Sequence, residues 1–141
     1  MTETELKPGL RHSKTLVVDA SLTVPQVSPA FDFSDMPAVF ATAFMVALVE
    51  ATCLEAVKPY LADNQRTVGI HIDMGHSAAT PIGMKVTAEV ELVEVDGRRL
   101  IFQVECRDEK EVIGAGHHER FIVDLPKFLA RVDAKAGSAG A

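Results

Sequence analysis

Several things are scarce or missing in this sequence, and each absence excludes something. Only two cysteines occur among 141 residues, Cys53 and Cys106, with no CxxC spacing. They cannot build a disulfide framework or a structural zinc site between them, and the expected compartment is the cytoplasm. Basic residues are the minority, 14 Lys and Arg against 20 Asp and Glu, for a formal net charge of −6. Such a chain is a poor nucleic-acid binder, because neutralising phosphates needs a basic surface. No repeat of 20–50 residues is present, nor any GxGxxG, P-loop or GxSxG nucleophile elbow. The first residues, MTETELKPGLRH, mix both signs of charge with no apolar run behind them, so no signal peptide is expected.

What is present is ordinary globular material: 48% hydrophobic and 24% charged residues, about one domain in length. The stretch from Ala38 to Val57 has the length of a membrane span, but Glu50 and Glu55 lie inside it. Carboxylates are costly in a bilayer, so it reads as a buried helix of a protein with no membrane partner. Ser34 and Asp35 offer N-cap chemistry and Pro37 suits a first helical position, with an end near Pro59. Thr42, Val46, Val49 and Cys53 share one face, and the opposite face, with Phe44, Leu48 and Ala51, is apolar too. A helix apolar nearly all round is buried on more than one side.

Strand patterns surround this helix. Leu16–Val18 is a short first candidate, and Thr67–Met74 the first after the helix. Between Met84 and Val95, Val86, Ala88, Val90 and Leu92 alternate with Lys85, Thr87, Glu89 and Glu91. Asp96-Gly97 marks a tight hairpin into the alternating run Leu100–Arg107. A last strand is expected over Val112–Val123, and Pro126 opens a short helix, Lys127–Val132. The whole predicts an α+β domain: a strand, one long buried helix, then four strands in an antiparallel meander curling round it. Residues 1–13 are expected to be a flexible lead-in, 14–133 a single domain, and 134–141 a disordered tail. A lone curled sheet leaves edges and a broad face open, so a homodimer is expected, with a tetramer as the larger assembly.

Few residues stand out for chemistry. Glu50 is the one ionisable group between Met36 and Ala51. A helix glutamate ordinarily faces water, yet this helix offers little wet edge, and a poorly solvated carboxylate can act as base or nucleophile. Thr42 lies eight residues earlier, about 12 Å along the axis, so the two can converge on one substrate but not on each other. By itself Thr42 is an ordinary helix threonine bonding its own backbone. His76 sits just beyond the first strand after the helix, a position typical of surface histidines, but able to shuttle protons. Gly69 inside a strand marks a bulge or the close approach of a ligand. Gly114 and Gly116 precede Arg120, which reads either as a surface partner of Glu119 or Asp124 or as an anchor for phosphate or structure. His71, His117 and His118 match no metal-ligand spacing, so no metal and no cofactor are expected.

Three segments carry a resemblance: VFATAFMVALVEATC at 39–53, HSAATPIG at 76–83, and IGAGHHERFIV at 113–123 with the PKF that follows. In this order and spacing, over roughly Lys14 to Val132, the sequence resembles the hotdog-fold thioesterases, and within them the fluoroacetyl-CoA thioesterase family. The resemblance implies a hotdog fold, a curved antiparallel sheet around one long helix, in dimers whose sites lie at the subunit interface. It implies hydrolysis of an acyl-CoA thioester by Thr42, Glu50 and His76, with His76 reaching the site across the sheet or from a partner chain. It places the Gly69 backbone near the acyl carbonyl and Arg120 close to the site. Phe33 is kept from an aromatic lid before the helix, whereas Met36 stands where the fluoroacetyl-specific enzyme has a second aromatic, which predicts a different, short acyl group. CoA is then part of the substrate, with Arg98, Arg99 and Lys110 available for its phosphates. Two other readings stay open: a hotdog hydratase or dehydratase acting on acyl-CoA, and a non-catalytic acyl-CoA or small-ligand binding domain.

Overall fold

The computed structural model describes residues 5–140, with side chains described to residue 137. Strand β1 (Arg11–Val17) is followed by two single turns of 3-10 helix and an irregular connection to helix α1 (Thr42–Val57). Strands β2 (Gln65–Met74), β3 (Lys85–Asp96), β4 (Arg99–Arg107) and β5 (Val112–Asp124) follow, then helix α2 (Leu125–Gly140). All pair antiparallel in one sheet of order β1-β3-β4-β5-β2. The sheet curls round α1, which is the hotdog arrangement. No helix among the described residues is long and apolar enough to cross a membrane.

The alternation read from the sequence sets the sheet's two faces. Val86, Ala88, Val90 and Leu92 of β3 and Leu100, Phe102, Val104 and Cys106 of β4 are buried against Met45, Leu48, Val49, Cys53, Ala56 and Val57 of α1. At about 25 cal/mol per Å² of apolar surface removed from water, this single cluster is the main stabilising term. Asp96 and Arg99 pair across a two-residue turn in which Gly97 takes φ +61°, a left-handed value that glycine adopts without strain.

Four expectations are corrected. Helix α1 starts at Thr42, and its N-cap is Ala41, which makes no side-chain cap. Ser34, Asp35 and Pro37 lie in the preceding connection, where isolated bridges pair Thr23 with Phe40 and Val39 with Pro81. These tertiary pairings hold the chain extended where capping signals alone would start a helix. Next, the four later strands are not one meander: β2 crosses to the far edge and pairs with β5. The lead-in is partly ordered, because Gly9 and Leu10 bond the backbone of Leu92 and β1 begins at Arg11. The terminal helix runs to Gly140, through most of the segment expected as tail. Residues 1–4 of the lead-in and residue 141 of the tail lie outside the described residues.

The helix also differs from a rod buried on all sides. Its sheet-facing side is buried, but Thr42, Ala43, Ala47 and Leu54 are exposed. Five strands cover only part of a helix's circumference. On the edge strand β2, Ile70 and Ile72 are also open to solvent, 48% and 41% exposed.

Candidate active site

Two groups of polar side chains meet α1 on the inner side of the sheet. The first is at its N-terminal end. Beyond Met74 the chain keeps bonding to β5: Gly75 N–H donates to Ala115 O at 3.0 Å and Ser77 N–H to Ile113 O at 2.7 Å. His76, held between these two bonds, is directed at the start of α1, where its Nδ1 lies 2.7 Å from Thr42 Oγ1. The fit needs Gly114, since a Cβ there would collide with Gly75 O and stand 3.1 Å from Met45 Sδ. His76 Nε2 is buried and has no hydrogen-bond partner among the described residues. Burial pushes the His76 pKa below the ordinary histidine value, with the Ala78 backbone opposing. A neutral imidazole with one nitrogen held and the other bare is prepared to take or give a proton.

The second group lies two turns further along α1. Glu50 Oε2 accepts a hydrogen bond from the Arg120 guanidinium at 2.9 Å. Arg120 is 4% exposed and fully engaged by the protein: Nε donates to Thr67 Oγ1 and Nη2 to Thr67 O, both at 2.9 Å. Its Nη1 also lies 3.1 Å from His118 Nε2. His118 Nδ1 is 2.7 Å from the His71 carbonyl, which can only accept, so the ring carries its proton there and presents Nε2 as an acceptor to Arg120. Burial, the largest cause, lowers the His118 pKa, and the Arg120 charge adds to it, so the neutral form is favoured. Gly69 completes the group. β2 shifts register between Gly69 and His71, and a Cβ on Gly69 would lie 2.7 Å from Glu50 Oε2.

The predicted residues thus fall in two places. Thr42 and His76 are brought together within one chain; Glu50 hydrogen-bonds to neither among the described residues. The expectation of a poorly solvated carboxylate is corrected, since the Glu50 side chain is 40% exposed and rests on a cation. Arg120 is neither a surface ion pair nor open to a phosphate, because its guanidinium is spent on Thr67, Glu50 and His118. Gly69 makes room for the carboxylate. Phe33 and Met36 lie in the connection before α1, 36% and 47% exposed, with the Phe33 ring 5.7 Å from that of Phe31. That connection is tied to the His76 loop by Phe40 N–H donating to Thr80 O at 2.9 Å. Of the cations considered for phosphates, Arg99 is 3.3 Å from Glu119, while Arg98 and Lys110 sit in turns at opposite ends of β4. Cys53 and Cys106 are free and buried, and burial raises both thiols to about 12, too high for a nucleophile near neutrality.

His118 and Thr67 were not singled out as site residues by sequence reasoning. Their role comes from β2–β5 register, which sequence spacing does not display. The one available signal was Arg120 following two glycines on a strand whose partner also carries a glycine.

The strip between the two groups is open. A groove of about 650 Å³ is present, but it lies on the outer face among Arg11, Ser13, Glu89, Gln103 and Glu105.

Comparison with known proteins places these residues in context. The family model for fluoroacetyl-CoA-specific thioesterase matches residues 18–125. The chain is 41% identical to the fluoroacetyl-CoA thioesterase of Streptantibioticus cattleyicolor over 131 residues, 92% of this chain and 94% of that one. A solved structure of a fluoroacetyl-CoA thioesterase superposes with a TM-score of 0.91 at 41% identity, covering 94% of this chain and 98% of the other. A variant of such an enzyme, solved with fluoroacetate and CoA, matches with a TM-score of 0.82 at 41% identity, over 87% and 99% of the two chains. A thioesterase superfamily member from Thermus thermophilus, 23% identical, shares the fold with a TM-score of 0.84 over 95% and 96%.

Proposed function

Since the chain belongs to the fluoroacetyl-CoA-specific thioesterase family, we propose that it hydrolyses a short acyl-CoA thioester to the free acid and CoA. The observation that carries the reading is His76, its Nδ1 paired with Thr42 and its buried Nε2 without a partner among the described residues, together with the aimed carboxylate of Glu50. Thioester cleavage needs a nucleophile or activated water, a proton shuttle, and a donor for the developing oxyanion. Glu50 Oε2 is fixed by Arg120, and Oε1 has no hydrogen bond among the described residues, so Oε1 faces the thioester carbonyl or the attacking water. Two turns of α1 separate Glu50 from His76 within one chain, so the two meet at one carbonyl across the dimer, Glu50 of one protomer facing His76 of its partner, which moves a proton to the leaving thiolate. Thr42 orients His76, and its position at the positive end of α1 suits a developing negative charge.

The working form is a homodimer. A second copy covering Ala43, Ala47, Leu54, Ile70 and Ile72 turns the open strip into a walled cleft and removes exposed apolar surface. Two free buried cysteines suit a cytoplasmic protein. Phe33 and Met36 form the acyl end of the cleft. Met36 is a flexible thioether, so the acyl group is short but not selected as fluoroacetyl. On that basis Met36→Phe raises the fluoroacetyl-over-acetyl ratio of kcat/KM by about 10-fold, the scale of one apolar contact in a pocket.

The deciding experiment is thiol release from a panel of acyl-CoAs, from acetyl and fluoroacetyl to medium-chain and aryl. Release with saturation kinetics supports hydrolysis. A change in enoyl absorbance with the thiol retained would make the chain a hydratase, and tight binding without turnover would make it a carrier.

A further inference from the structure

The outer face of the β2–β5 pair carries a cluster that the proposed reaction does not use. His71 and Asp73 are two apart on β2, and His117 and Glu119 two apart on β5, so each pair projects to one side. That side is away from α1, because the intervening His118 points inward at Arg120. Register sets His71 opposite Glu119 and Asp73 opposite His117. One ligating atom each from His71, Asp73 and His117 lies within 4.8 Å of the other two. The two imidazoles are 5.4 Å apart between centroids.

We propose that His71, Asp73 and His117 form a binding site for a divalent transition-metal ion of the zinc type. Two imidazoles and a carboxylate are a ligand set suited to such an ion, with water in the remaining position. The surroundings supply the support that histidine ligands need. His117 Nδ1 lies 3.9 Å from Asp73 Oδ2, on the side of the cluster, while its Nε2 lies 3.6 Å from Glu119 Oε2. Glu119 is in turn 3.3 Å from Arg99 Nη1. A small closure lets Nε2–H donate to Glu119 and commits Nδ1 to the metal, the carboxylate–histidine–metal relay of many zinc sites. The site ties edge strand β2 to β5 and lies across the sheet from Glu50, so it is a structural clasp and not part of the reaction. The sequence expectation of no metal rested on spacing along the chain; this cluster arises from pairing between strands.

The test is calorimetric titration of chelator-treated, folded full-length protein with zinc chloride. One saturable ion per chain is expected, with binding abolished in His71→Ala and His117→Ala and unchanged in His12→Ala. Glu119→Gln should weaken affinity by about 10-fold, the low end for loss of a supporting carboxylate. Zinc should raise the thermal midpoint of the wild type and leave that of His117→Ala unmoved, with thioester hydrolysis the same in both. Absence of saturable uptake, or uptake undiminished in both histidine variants, would overturn the site.

Discussion

The two ends of α1 hold their polar residues in opposite ways. At the N-terminal end a single hydrogen bond joins Thr42 to His76, and the second imidazole nitrogen has no partner among the described residues. Two turns later Glu50 is gripped by Arg120, which Thr67 and His118 hold in turn. One end is poised and the other clamped. A group that moves protons needs a free nitrogen, whereas a carboxylate that must strike or aim at one atom gains from a fixed direction. The burial of Arg120 is the structural cost of that fixing, offset by its hydrogen bonds.

The contrast is broken most severely at Gly69. In Gly69→Ala the new methyl meets the Glu50 carboxylate at 2.7 Å and the buried His118 and Arg120 side chains at 3.2 and 3.3 Å, so the carboxylate is displaced and the clamp loosened. A displacement near 1 Å can cost about 10²-fold, so kcat should fall by that order, with a lowered thermal midpoint because the buried Arg120 loses its partner. Thr42→Val probes the poised end. It removes one hydrogen bond to His76, worth about 1 kcal/mol, and kcat/KM should drop about 5- to 10-fold. The smallest effect is on stability against pH. His76 and His118 both have pKa values below the ordinary 6.5, for which burial is the leading cause. The unfolded chain therefore binds more protons in the window below 6.5, and stability falls as pH drops through it. Urea unfolding at a series of pH values should show this decline, shallower in His118→Gln.

How much of this was legible in the sequence follows from the range of the signals. Period-two alternation in β3 and β4 showed the inner face, since Val86 to Leu92 and Leu100 to Cys106 are the buried core. The Asp96-Gly97 turn was legible because its backbone needs are local. The start of α1 was not, because capping signals at Ser34 and Asp35 lost to tertiary bridges at Val39 and Phe40. The far-edge position of β2 was hidden for the same reason, and with it the Arg120–Thr67–His118 clamp. Thr42, Glu50 and His76 stood out individually. The contact of Thr42 with His76, and the separation of Glu50 from both, needed three dimensions.

The central claim is that Glu50 of one protomer and His76 of its partner act on one thioester. It is tested most directly by thiol release from the best acyl-CoA substrate by wild type, Glu50→Gln and His76→Ala, each checked for an unchanged thermal midpoint. The account predicts that kcat falls by about 10²–10⁴-fold in each variant, the range for removing a positioned acid–base group. A folded Glu50→Gln or His76→Ala protein that releases thiol at the wild-type rate would contradict it.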